Sequence, residues 1–154
     1  MAHRVTHTRQ VPASVEAVLE VALSVGDIVY WFPLPLEAVE VPPDGRLEAG
    51  ESCVADALLV GRRLRTRIAI LEADSARYQL SATGPLRFAV DAVLTPNPAG
   101  CLIEATIETR SGGGLEGRVL EAASRPLLSP GLRRALDRIA ELAVGRESGI
   151  EHVA

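Results

Sequence analysis

A chain of 154 residues, 47% hydrophobic and 23% charged, has the size of one folded domain and is too apolar to be a disordered polypeptide. Twenty acids against 16 bases, a net charge of −4, exclude the basic surplus on which nucleic-acid affinity depends. All the bases are arginine, which excludes a lysine Schiff base or lysine general base.

Residues 3–11 alternate, with Val5, His7, Arg9 and Val11 opposing Arg4, Thr6, Thr8 and Gln10, and this predicts a strand. Pro12-Ala13-Ser14 ends it. Ser14 is placed to cap a helix, and Glu16 falls in the first turn, where a carboxylate meets the positive end of the helix dipole. Val15, Val18, Leu19 and Ala22 then recur at helical spacing as far as about Ser24. Gly26-Asp27 punctuates, a brief second helix covers 28–32, and Pro33 and Pro35 stop it.

From Leu36 the period becomes two. Strands are predicted over 36–41, 51–60, 62–71, 77–83, 86–95 and 101–110. Between them lie turns at 42–45 and 73–76, a tight connection at Gly61, a break at Gly84-Pro85 and a loop at 96–100. Short strands on such brief links describe an antiparallel meander.

After the joint Ser111-Gly112-Gly113-Gly114 the period is helical again. Leu115, Val119, Ala122 and Ala123 fall on one face, and beyond Pro130-Gly131 the stripe Leu132, Ala135, Leu136, Ile139 and Leu142 opposes Arg133, Arg134, Asp137, Arg138 and Glu141. Pro126 and Pro130 are expected to bend or briefly interrupt this helix. Residues 1–146 read as one domain and 147–154 as a flexible, solvated tail.

Cys53 and Cys101 sit in apolar, strand-like contexts and read as reduced, buried residues. His3 and His7 would stand roughly 13 Å apart on a strand, too far to share an ion. No metal and no cofactor is expected. No apolar run approaches the roughly 18 residues of a membrane span, and no basic leader with a long apolar stretch opens the sequence. A cytoplasmic protein without stable membrane insertion is expected; a homodimer is left open.

The order strand, two short helices, six strands, one long helix describes an α+β domain. A helix that comes last must bury its stripe on one sheet face. A strongly curved seven-stranded sheet is not filled by one helix along its whole length, so a cavity is expected. The faces agree: Leu64, Thr66, Ile68 and Ile70 alternate with Arg63, Arg65 and Arg67, and Leu86, Phe88, Val90 and Ala92 with Arg87 and Asp91. Cys101, Ile103, Ala105, Ile107 and Thr109 likewise oppose Leu102, Glu104, Thr106 and Glu108. Small inward residues such as Ala92 and Ala105 leave room for a hydrophobic guest.

Val11-Pro12-Ala13-Ser14 entering a helix, Trp31-Phe32-Pro33 closing the next, Gly50, Gly84-Pro85-Leu86 and the loop 96–100 carry a resemblance over residues 3–145. With this punctuation the chain resembles the START-like or SRPBCC superfamily, nearest its polyketide cyclase/aromatase and coenzyme-Q-binding branches. The resemblance implies a helix-grip fold, a curved antiparallel sheet wrapped around a long C-terminal helix. It also implies a cavity for a hydrophobic small molecule. A cyclase would fold a poly-β-ketone chain for aldol closure and dehydration. A lipid or quinone carrier would only hold its cargo, and a chaperone-assisting interaction module is a weaker alternative.

Candidate residues follow from these faces. Tyr30, Trp31 and Phe32 stand where a lid would stack on a flat ligand. Thr66, Ile68, Phe88, Val90, Ile103 and Ala105 are candidate cavity walls. Arg118 and Glu121 sit near the start of the last helix, where a gate would be, and Arg118, Val119 and Ala122 are candidate ligand contacts. Tyr78 and Asp56 are candidates for proton handling, Asp56 only if its strand turns it inward. Arg67, with Arg63 and Arg65, forms a stripe that reads as a solvated outer face; in the opposite register it would clamp an enolate or carboxylate.

Overall fold

The computed structural model describes the backbone of residues 3–153 and the side chains of residues 3–148. Strand β1 (His3–Val11) leads into α1 (Val15–Leu23), whose first turn is capped by Ser14 Oγ accepting from the Ala17 amide at 3.2 Å. Helix α2 (Val25–Trp31) starts earlier than its pattern suggests, with Gly26 and Asp27 inside its first turn. Strands β2 (Leu36–Glu40), β3 (Ser52–Leu59), β4 (Arg62–Ala73), β5 (Arg77–Thr83), β6 (Leu86–Asn97) and β7 (Gly100–Ser111) follow, and α3 (Gly114–Val153) closes the chain.

All seven strands form one antiparallel sheet in the order β1-β7-β6-β5-β4-β3-β2. The meander turns back at its end so that β7 pairs with β1, aligning Val5 with Ile107 and His7 with Ala105. The expected facing is present in β1, β4, β6 and β7. Leu64, Thr66, Ile68 and Ile70 are buried on the concave face while Arg63, Arg65 and Arg67 are exposed on the convex one. On β3 the concave face carries Cys53, Ala55, Ala57 and Leu59, all buried. The β6–β7 turn lies hard against the end of β1. A Cβ on Gly100, whose φ is +134°, would come within 2.1 Å of the Val11 carbonyl oxygen.

Helix α3 passes through Pro126 and Pro130 without the brief interruption that was one of the two expectations. Both prolines are exposed, as is Ala122. The carbonyls deprived of a partner, those of Ala122 and Pro126, therefore face water. Continuity keeps one helical phase from end to end, so Leu120, Glu121, Ser124 and Leu128 join Leu132, Ala135, Leu136 and Ile139 on the buried face. The helix also continues beyond Gly145, where a solvated tail was expected. Arg146 is paired with Asp27, and Glu147 Oε2 accepts from the Ser14 amide at 2.7 Å. Side chains from 149 onward, His152 included, lie outside the described residues. Among the described residues no helix is long and apolar enough to cross a membrane.

Candidate ligand-binding site

Sheet and helix do not close completely. Between them lies an apolar cavity of ≈ 40 Å³. Its roof is the buried face of α3, with Leu132, Ala135, Leu136 and Ile139, and its floor is Val90, Ala92, Leu94, Ile103 and Ala105 of β6 and β7. Helix α1 supplies Val18, Leu19 and Ala22, and the segment after α2 supplies Trp31 and Pro33. The volume exceeds the roughly 10–15 Å³ that one water needs. It is far below the roughly 300–1,000 Å³ of a site holding a drug-sized ligand. The hollow is thus real but much smaller than the sheet's length suggests.

Its two polar side chains are both engaged. Tyr78, on β5, donates its hydroxyl to the Ala22 carbonyl at 2.9 Å, and Trp31 Nε1 points to the Val21 carbonyl at 3.5 Å. Val21 and Ala22 lie in the last turn of α1, where carbonyls have no partner within their own helix. Both groups therefore serve as side-chain caps for α1. Burial, with a smaller contribution from Cys53, pushes the Tyr78 hydroxyl far above the ordinary phenol range. Burial raises both thiols as well; Cys53 and Cys101 are free and buried.

The other candidates are distributed differently from expectation. Asp56 is buried, but beneath arginines on the convex face, with Arg65 Nε at 2.7 Å and Arg63 Nη1 at 3.9 Å. Arg67 is exposed on that same face and donates to Ser52 Oγ at 3.0 Å. Neither reaches the cavity, because the strict alternation of β4 forces its arginines outward. Thr66, Ile68 and Phe88 are buried on the concave face but are absent from the cavity wall. Phe88 packs edge-on against Phe32, with ring centroids 5.8 Å apart, and Thr66 donates to the Leu64 carbonyl at 3.0 Å.

Arg118, Val119 and Ala122, expected to contact ligand, are exposed on the outer face of α3 and do not line the cavity. The residue turned inward there is Glu121, buried and paired with Arg125 one turn on, at 2.9 Å. Steps of four, four, three and four residues back from Leu132 lead to Leu128, Ser124, Glu121 and Gly117, all buried.

Residues 30–35 form a strap between two spaces. Trp31 and Pro33 face the cavity. Tyr30, Phe32, Leu34 and Pro35 line an open groove of ≈ 560 Å³ on the other side, together with Gly26, Val29, Leu36, Arg134 and Arg138. The strap is tied to α3 by Arg134 Nη2 donating to the Pro33 carbonyl at 3.0 Å and Arg138 Nη1 donating to the Tyr30 carbonyl at 2.7 Å. Gly131 permits this approach, since a Cβ there would stand 3.0 Å from the Pro33 oxygen. Tyr30 is thus not a lid over the cavity, and its ring lies under the Arg138 guanidinium, 4.6 Å from centroid to Cζ. Nothing in the letters of 134 and 138 distinguished them from a solvated helix face.

Solved structures share this architecture. A structural-genomics target from Chromobacterium violaceum superposes with a TM-score of 0.69 at 16% identity, covering 91% of this chain and 96% of that one. A START superfamily protein from Mycobacterium smegmatis gives 0.62 at 18% identity, covering 91% and 99%. A norcoclaurine synthase point mutant from Thalictrum, in complex with a transition-state analogue, gives 0.62 at 16% identity, covering 96% and 97%. At these identities the likeness is one of fold. Comparison with curated proteins returned no match. The model of the family described as polyketide cyclase / dehydrase and lipid transport matches residues 2–144, and with its seven-stranded grip around α3 this chain belongs to that family, within the START-like SRPBCC superfamily.

Proposed function

We propose that this protein is a non-catalytic carrier of a hydrophobic small molecule held between the sheet and α3. The observation that supports it is the cavity lining, in which the only polar side-chain groups, those of Tyr78 and Trp31, are spent on the carbonyls of α1. A proton-handling residue needs a pKa near the working pH. The Tyr78 hydroxyl, buried and driven upward, is unsuited to that task. Asp56 and Arg67, the other candidates for catalysis, have the sheet between them and the cavity. The family description includes both cyclase and lipid-transport members; this lining favours transport. A ligand larger than a few atoms must move the walls, so loading is a conformational event and not diffusion into an open pocket.

The test is binding of a neutral apolar fluorophore, N-phenyl-1-naphthylamine, together with mass spectrometry of ligands extracted from the purified protein. Ala105→Leu, which adds carbons inside the cavity, is expected to weaken fluorophore binding by about tenfold or more. Unchanged binding in that variant would exclude the cavity as the site. If an extracted compound is chemically altered on return to the protein, and Tyr78→Phe abolishes the alteration, the cyclase reading replaces the carrier.

A further inference from the structure

Arg134 and Arg138 lie one turn apart on α3, and among the described residues neither forms an ion pair with a carboxylate. Asp137, between them in sequence, is directed to Arg9, 3.4 Å away. Each guanidinium donates one hydrogen bond to a strap carbonyl, at 3.0 and 2.7 Å, and Arg138 is further held by the Tyr30 ring. A guanidinium has five N–H donors, so most of each fork remains available. The two cations are oriented in advance and border a groove whose other walls include Val29, Phe32, Leu34 and Leu36. Two uncompensated positive charges beside an apolar trough suit one kind of molecule: a chain with an acid at one end.

We propose that this groove is the head-group site for a long-chain carboxylate, with Arg134 and Arg138 binding the acid and the trough receiving the first part of the tail. The inference deepens the carrier reading and rests on it for the destination of the rest of the tail. The strap that separates groove from cavity is one segment thick, with Trp31 and Pro33 on the inner side and Phe32 and Leu34 on the outer. The same two arginines hold that strap to α3. A carboxylate that draws their donors away from the Pro33 and Tyr30 carbonyls loosens the wall the tail must pass. Recognition of the acid and opening of the cavity are thereby coupled.

The experiment compares dodecanoate with dodecanol as competitors for N-phenyl-1-naphthylamine, in the wild type and in Arg134→Gln/Arg138→Gln. Wild type is expected to prefer dodecanoate by about tenfold or more, and the preference is expected to shrink as salt is raised. The double glutamine variant is expected to lose the preference while still binding dodecanol, which also establishes that it is folded. Should that variant fail to fold, Arg134→Lys/Arg138→Lys, with its charges kept but its forks lost, is expected to retain only part of the preference. Equal binding of acid and alcohol by wild type overturns the groove site and leaves the carrier intact. Failure of fluorophore and dodecanol to bind, with arginine-dependent dodecanoate binding retained in direct calorimetric titration, overturns the carrier and leaves the groove site. A stronger preference for dodecyl phosphate than for dodecanoate overturns the assignment to a carboxylate.

Discussion

The hydroxyl of Tyr78 and the carbonyl of Ala22, 56 positions apart in sequence, meet at 2.9 Å and fasten the end of α1 to the sheet. This is the hydrogen bond that the phenol beside the cavity makes. Tyr78→Phe is therefore expected to lower stability by about 1 kcal/mol, the typical worth of a buried hydrogen bond whose acceptor is left behind. Fluorophore affinity is expected to stay within about twofold of wild type, because the ring that lines the cavity is kept. Chemical denaturation and fluorophore titration measure the two effects separately.

The convex face offers the complementary test. Asp56→Asn and Arg67→Gln are expected to leave ligand binding unchanged, since neither side chain reaches the cavity. Asp56→Asn also weakens the contact with Arg65, whose side chain is 65% exposed, so the stability loss is expected to be at most about 1 kcal/mol. Loss of ligand binding in either variant, with the melting temperature preserved, would contradict the facing of β3 and β4.

Val60 occupies the turn between β3 and β4 with φ +46°, a left-handed conformation that a β-branched residue adopts at a cost. It is also largely exposed. Val60→Asn is expected to stabilise the protein by about 1 kcal/mol, because asparagine tolerates this region and no packing is lost. Thermal melting of the two proteins side by side reads the effect directly.

Acid stability depends in part on Glu20. Its hydrogen bond from Arg46, at 2.5 Å, holds the carboxyl below its ordinary 4.5. The folded value lies under the unfolded one, so the pair's contribution is complete above pH 4.5 and is lost as pH falls through the folded value. Both side chains are partly exposed, so the contribution is expected to be about 0.2–1 kcal/mol. Arg46→Gln is expected to lower the melting temperature at pH 7 and to converge on wild type once the pH falls below the folded value of Glu20.

Much of the fold is legible in the letters because strands with one buried face have no freedom of register. The arginines at 63, 65 and 67 could not turn inward without turning Leu64, Thr66 and Ile68 outward. Ser14 announced the start of α1 through a bond only three residues long. The candidate site was less legible. Val90, Ile103, Ala105, Trp31 and Tyr78 do meet at the cavity, yet Phe88, Ile68 and Thr66, buried on the same sheet face, do not line it. Which concave residues border empty space depends on how far α3 descends onto the sheet, and no local pattern encodes that distance. Leu115, Val119 and Ala122 share a face by spacing, yet the fold exposes that face and buries the one bearing Gly117, Leu120, Glu121 and Ser124.

The order of elements, the facing of β1, β4, β6 and β7 and the α+β grip were thus determined by short-range periodicity, which burial of a single face enforces residue by residue; the facing of β3, whose alternation is ambiguous, was decided by the fold. Tertiary structure alone decided the continuity of α3, the small volume left beneath it, the use of Tyr78 and Trp31 to finish α1, and the meeting of Arg134 and Arg138 with the strap. Each of these arises where segments remote in sequence come into contact. Such contacts depend on the depth and angle of packing, quantities that belong to the assembled chain and to no window of its letters.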